Sequence, residues 1–167
     1  MTAAGNASAA ARQQAALTLV QEQSILTLAT AGQAGPWSAP VYYVCLEGRF
    51  FFFSAPDSRH IQQALGCHSA AASVFHQADS WQDIRGLQMS GSVTGVESTA
   101  LSLTVIARYL QRFPFTWSFF GDRPLPGPDD FLSIFKARLY VFNPQAVYYT
   151  DNRFGFGSRE RIDWPTG

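Results

Sequence analysis

Short β-type runs follow one another along this chain with almost no helices between them, and that succession restricts the folds open to it. "SILTLATA" (Ser24–Ala31), "WSAPVYYVCL" (Trp37–Leu46), "RFFFFS" (Arg49–Ser54), "AAASVFHQ" (Ala70–Gln77) and "IRGLQMSGSVTGV" (Ile84–Val96) each carry the β-branched and aromatic content of a strand. Only one short helix, Ser58–Leu65 with Gly66 as its C-cap, interrupts the series. A doubly wound sheet needs a helix after nearly every strand, so it is disfavoured. A helix over Ser98–Phe113, with Leu101, Val105 and Leu110 inward, and a closing hairpin of "FKARLYVFNP" and "QAVYYTDN" complete the pattern. The expectation is a mainly β domain, a small antiparallel barrel with helical inserts.

Residues 1–167 read as one domain without internal repeats. Its N-terminal segment, 1–23, holds a helix over Ser8–Glu22 with Leu17 and Val20 on the inner face. Residues 98–134 form a helical insert and a Pro/Gly loop, Gly121–Asp130. Pro40 interrupts its strand and marks an edge, a bulge or an opening of the ladder. Glu47-Gly48 reads as a hairpin turn.

Charge is scarce. Lys+Arg and Asp+Glu balance at 12 each, and charged residues make up 14% of the chain, against roughly 25% in ordinary soluble domains. No basic run points to nucleic acid or to an anionic membrane. With aromatics also at 14%, the chain lacks the polar surface to cover itself comfortably, and a homodimer with an aromatic interface is expected. Cys45 and Cys67 fit neither metal spacing nor a CxxC pattern and read as free thiols of a reduced compartment. The N-terminus lacks the make-up of a secretory signal. No apolar run approaches the ~18 residues of a membrane span. The expectation is a cytoplasmic protein.

The motifs exclude more chemistry than they support. No GxGxxG, Walker or GxSxG pattern occurs. Asp129-Asp130 open a short helix and suit capping. His60, His68 and His76 span a helix, a loop and a strand, which gives no shared metal face. The abrupt change at "FFFFSAPDSRH" admits two readings. Either Asp57 or Ser58 is an ordinary N-cap with Arg59 in solvent, or the helix start holds an anion. Ser54, Ser58 and Arg59 are the parts a dianionic phosphate needs. Gln88 is either an outward polar position or a partner for the amide-like edge of a heterocycle.

The order "ILTLATAGQAGPWSAPVYYV", "FFFSAPDSRH", "IRGLQMSG" resembles the flavin-binding split barrels of the pyridoxamine 5'-phosphate oxidase-like superfamily. The ending "TDNRFGFGSRERIDW" and the earlier "RFP" are similar to a small, functionally uncharacterised bacterial branch of it. The resemblance implies a homodimeric split β-barrel binding FMN at the subunit interface. Its phosphate motif falls on Ser54, Ser58, Arg59 and His60, with His60 in place of the usual lysine. Ser38, Ala39, Pro40 and Val41 would line the isoalloxazine ring with their backbone, and Gln88 would meet it from the long strand. Trp81 and Trp164 would reach a flavin from the second subunit.

The departures are equally specific. Ala39 and Val44 stand where true pyridoxamine-phosphate oxidases carry an arginine and a lysine, and the C-terminal Arg/His substrate motif is missing. The resulting expectation is a small FMN-dependent oxidoreductase whose catalytic groups and substrate are unassigned, and not a pyridoxamine-phosphate oxidase. The alternatives are a haem- or flavin-binding module without turnover, with His76 as a haem ligand, and a deazaflavin in place of FMN.

Overall fold

A computed structural model describes residues 8–121 and 126–165. Residues 1–7 of the N-terminal segment and 122–125 of the Pro/Gly loop lie outside the described residues. Among the described residues eight strands form one antiparallel sheet, rolled into a half-barrel: β1 (Ile25–Gly32), β2 (Gly35–Tyr42), β3 (Val44–Leu46), β4 (Arg49–Ser54), β5 (Ala70–Phe75), β6 (Arg85–Gly95), β7 (Arg138–Asp151) and β8 (Arg159–Arg161). Their order is β2-β1-β5-β6-β7-β4-β3, with β8 pairing β7. The helices are α1 (Ala9–Glu22), α2 (Arg59–Cys67), α3 (Thr99–Arg112) and α4 (Pro128–Phe135). Among the described residues, no helix is long and apolar enough to cross a membrane. The mainly β architecture expected from the sequence is the architecture found.

β4 separates two cores. Phe50 and Phe52 point into the barrel with Leu26, Leu28, Ile61, Tyr140 and Phe142. Phe51 points the other way, toward Val105, Ile106, Leu110 and Phe131 of α3 and α4, and Phe53 packs against the same cluster. Phe53 stacks on Phe131 at 4.0 Å between ring centroids. A strand with both faces dry has no polar position to spare, which accounts for the unbroken phenylalanine run. The turn before it fits the expectation: Glu47 (φ 50) and Gly48 (φ 72) both take left-handed conformations, as a type I′ hairpin requires.

Four sequence expectations change. The run Trp37–Leu46 is two strands, broken at Tyr43. The Tyr43 hydroxyl donates to the Val20 carbonyl at 2.7 Å, and this anchor to the end of α1 turns the chain so that β2 pairs β1 while β3 pairs β4. The closing hairpin is one strand, β7, 14 residues long. β6 pairs it along both halves, so Asn143-Pro144-Gln145 forms a bulge rather than a turn. α2 continues through Gly66 and ends at His68, which takes the left-handed conformation itself (φ 52). On α1 the buried residues are Arg12, Ala16, Leu19 and Val20, with Leu17 only half-buried. Arg12 supplies the reason, since its guanidinium pairs with Glu160 at 3.1 Å and lies over the Phe154 ring, which rotates the helix toward that side. Pro40 does sit on an edge strand.

The bulge fixes a close backbone approach at Gly91. A Cβ there would lie 2.1 Å from the Asn143 carbonyl oxygen. Gly91→Ala is therefore expected to lower stability by about 1–3 kcal/mol, as overpacking does. A urea-unfolding midpoint equal to wild type would contradict this packing.

Candidate functional site

After the four phenylalanines β4 ends on a polar side chain, Ser54, and the chain then turns into α2. Ser58 occupies the N-cap position, yet its side chain makes no capping hydrogen bond. Its hydroxyl instead lies 3.2 Å from the Ser54 hydroxyl and 3.3 Å from His60 Nε2. His60 Nε2 is also 2.7 Å from Ser54 Oγ, donating or accepting according to its tautomer. Thus the structure brings Ser54, Ser58 and His60 into one cluster at a helix start whose first-turn N–H groups have no side-chain cap. Burial pushes the His60 imidazolium toward losing its proton, below the ordinary 6.5. A lysine would be a fixed cation here, and His60 is not.

Arg59 is neither free in solvent nor wholly consumed. Its Nη2 donates to the carbonyls of Ala34, Gly35 and Pro36, at 2.6, 3.3 and 3.4 Å. Its guanidinium lies 4.6 Å from the Trp37 ring centroid, while its Nε is buried without a partner. One turn on, Gln63 donates to Gly35 O at 3.0 Å and accepts from the Thr30 hydroxyl at 2.8 Å. Arg59 and Gln63, at i and i+4, together clasp the β1–β2 turn to α2. Sequence reasoning missed Trp37, Thr30 and Gln63, although the i,i+4 spacing of Arg59 and Gln63 was legible.

Beside this clasp an open cleft of about 560 Å³ runs over the outer face of the sheet. Cross-strand pairing sets its floor: Ser38, Ala29, Ala71 and Ser90 lie in one row across β2, β1, β5 and β6. The next row is Pro40, Thr27, Ser73, Gln88 and Tyr148. Both rows are uncharged, and the first is built of small residues, so a flat group can approach the backbone closely. Ser38 and Pro40 face this floor, whereas Ala39 and Val41 turn their side chains into the core and offer the outer face only backbone. Gln88 is exposed here, its Oε1 accepting from Arg159 at 3.3 Å.

The two tryptophans diverge. Trp81, on a short 3-10 helix (Trp81–Asp83), is 49% exposed and meets Phe156 edge-on at 5.5 Å. Asn152 holds it by donating to its carbonyl at 2.7 Å. Beneath lies Asp151, fully buried, which accepts from the Tyr149 hydroxyl at 2.9 Å and from Arg153 at 2.6 Å. Trp164 is engaged within its own chain, its indole N–H donating to Gly48 O at 2.7 Å and its ring stacked on Phe50. That is the opposite end of β4 from Ser54, about 13 Å along the strand. Asp130 accepts from the Gly127 N–H at 2.7 Å at the start of α4, the capping role expected of the Asp129-Asp130 pair. Cys45 and Cys67 are free thiols; Cys67 lies within α2 and donates to Ala31 O, and burial pushes the Cys45 thiol up to about 11. Among the described residues no group of three or more His, Cys, Asp or Glu could hold a metal ion.

No family model matches the chain. It is 28% identical over 142 residues to the UPF0306 protein YhbP of Salmonella arizonae, a match covering 84% of this chain and 85% of that one. Among solved structures it is similar to a haem-binding protein from Mycobacterium smegmatis, with a TM-score of 0.67 and 18% identity over 95% of this chain. The chain spans 59% of that protein's length. It is also similar to an FAD-binding protein from Mesorhizobium loti, with a TM-score of 0.59 and 13% identity, covering 80% of this chain and 90% of that one. These likenesses establish the split-barrel fold.

The folded state binds the His60 proton less readily than the unfolded chain does. The contribution of His60 to stability is thus complete above about pH 6.5 and declines as pH falls toward its lowered value. Proton NMR is expected to show His60 titrating below 6.5, and His60→Asn is expected to flatten the fall in urea midpoint over that window. A titration at or above 6.5 would overturn the neutral-ring assignment.

Proposed function

We propose that this chain is a flavin-binding protein that works as a homodimer, holding FMN by its phosphate at the start of α2 and by its ring over the uncharged floor. One observation carries the reading. Ser58 leaves its capping role to join Ser54 and His60, beside a buried Arg59 Nε that has no partner. Helix N–H groups without a side-chain cap, two hydroxyls and a neighbouring guanidinium are what a phosphate requires. The adjoining cleft falls within the roughly 300–1,000 Å³ of small-molecule sites. The likeness to an FAD-binding protein of the same fold supports the choice of ligand.

The residues then take distinct parts. Ser54, Ser58, Arg59 and His60 face the phosphate, with Arg59 also fixing the turn that forms one wall. Ser38, Pro40 and the backbone of Ala39 and Val41 lie under the ring, and Gln88 offers an amide to its polar edge. Trp81, exposed beside Phe156, is the side chain suited to a partner's site, while Trp164 serves its own barrel. A bound flavin supplies hydride and single-electron chemistry, and the protein supplies binding and electrostatics. The activity is oxidation or reduction of a small molecule. Pyridoxamine phosphate is not that molecule, because Ala39 and Val44 are buried apolar residues where a phosphate clamp would need cations. A deazaflavin would use the same floor.

A second reading, haem binding without turnover, draws on the haem-binding neighbour. His76 is half-buried, and its imidazole makes no hydrogen bond among the described residues.

The absorption spectrum of the purified protein separates the two, and flavin bands are expected. A Soret band without them would favour haem. Arg59→Ala removes a charge-assisted contact of about 1.5–3 kcal/mol, so FMN affinity is expected to fall roughly ten- to a hundredfold. Riboflavin, lacking the phosphate, is expected to lose clearly less affinity than FMN, only what loosening the β1–β2 turn costs, and an equal loss for both ligands or equal FMN affinity would end the phosphate assignment. Light scattering at micromolar concentration is expected to give a dimer, whose interface should bury more than ~2,000 Å²; a monomer would remove the partner's Trp81 from the site.

A further inference from the structure

A second cavity, of about 490 Å³, opens between the ends of β6 and β7 and the helices α3 and α4. It shares no lining residue with the flavin cleft. Its wall is apolar, formed by Leu65, Val96, Leu132 and Leu139. Two hydroxyl side chains also line it, Ser102 at 4% exposure and Tyr140 at 5%, and neither hydroxyl has a hydrogen-bond partner among the described residues. Neither hydroxyl oxygen is itself buried, so both are open to the cavity and available to a ligand there.

The mouth carries charges of both signs. The β6–β7 ladder pairs Gly95 with Tyr140, and the Val96 N–H continues it to the Leu139 carbonyl at 3.1 Å. The next step brings Glu97 and Arg138 to the mouth from the two strand ends. Asp129, in the first turn of α4, joins them. Glu97, Asp129 and Arg138 form no ion pair or hydrogen bond through their side chains among the described residues. Opposite charges thus meet at one opening without closing on each other.

We propose that this cavity binds a zwitterionic amino acid with a large apolar side chain. Its carboxylate would lie between Arg138 and the Tyr140 hydroxyl, its ammonium between Glu97 and Asp129, and its side chain against Leu65, Leu132 and Leu139. A singly charged ligand would leave one sign at the mouth unanswered, and a small one would leave the apolar wall wet. The proposal does not rest on the flavin reading, although Arg138 lies opposite Ser54 of the phosphate cluster in the β4–β7 ladder.

Isothermal titration of the full chain with L-phenylalanine and L-leucine tests this. Saturable binding is expected, with phenethylamine and 3-phenylpropanoate each at least about tenfold weaker than L-phenylalanine, the loss of one charge-assisted contact. Glycine is expected not to bind. Arg138→Ala and Glu97→Ala, both at exposed positions, are each expected to weaken L-phenylalanine about tenfold, and Tyr140→Phe severalfold. Thermal melting without ligand confirms that each variant is folded. The proposal is overturned by absence of saturable binding of both amino acids up to roughly 10 mM. It is equally overturned by a singly charged analogue binding as well as L-phenylalanine, or by unchanged affinity in folded Arg138→Ala and Glu97→Ala.

Discussion

The dryness of both faces of β4 is the constraint on which the other features depend. Phe50 and Phe52 fill the barrel while Phe51 and Phe53 meet the helical layer, so β4 belongs to two cores at once. Burying one such ring stabilises by roughly 1.5–3 kcal/mol, and four in succession leave no room for register slippage. The position of Ser54 is then set to within a residue, and with it the start of α2. The Ser54–Ser58–His60 cluster is as precise as it is because a rigid, doubly buried strand ends beneath it.

Pattern and turn chemistry made much of this legible. "RFFFFS", the Glu47-Gly48 turn, and the helices capped by Ser8 and Ser98 could be read directly, because each depends on local propensity. What was hidden depended on distant partners. Nothing near Tyr43 announces that its hydroxyl will reach Val20 and break a strand. Asn143-Pro144-Gln145 has the composition of a turn, and only an 11-residue β6 alongside keeps both halves of β7 in line. Gly66 looked like a C-cap, but α2 runs one residue past it before His68 closes the helix.

The candidate site divides along the same line. Ser54, Ser58, Arg59 and His60 could be picked out together because they lie within seven consecutive positions. Their geometry could not. Sequence offered Ser58 as a cap or Arg59 as an anion clamp, as if these excluded each other. The structure combines them differently: the cap hydroxyl turns to its neighbours, and Arg59 holds the β1–β2 turn through Nη2 while its Nε lies buried without a partner. Trp37 escaped notice because its role comes from lying under Arg59, a pairing made across 22 residues.

The poverty of charge has a location in the fold. The rows Ser38–Ala29–Ala71–Ser90 and Pro40–Thr27–Ser73–Gln88 contain no ionisable side chain, and Tyr42, Phe75 and Tyr148 stand exposed on the same face. Water covers such a surface poorly, and an exposed apolar face of this kind marks a binding surface. On the flavin reading, the ring and a second copy of the chain cover adjoining parts of one floor. Each then finishes burial that the other begins, so cofactor retention and subunit association stabilise one another by mass action. His60 adds a bias to that linkage. A neutral imidazole in place of a fixed cation leaves the phosphate end of the site weaker near neutral pH, and the floor and the partner must carry a larger share of the hold on the ligand.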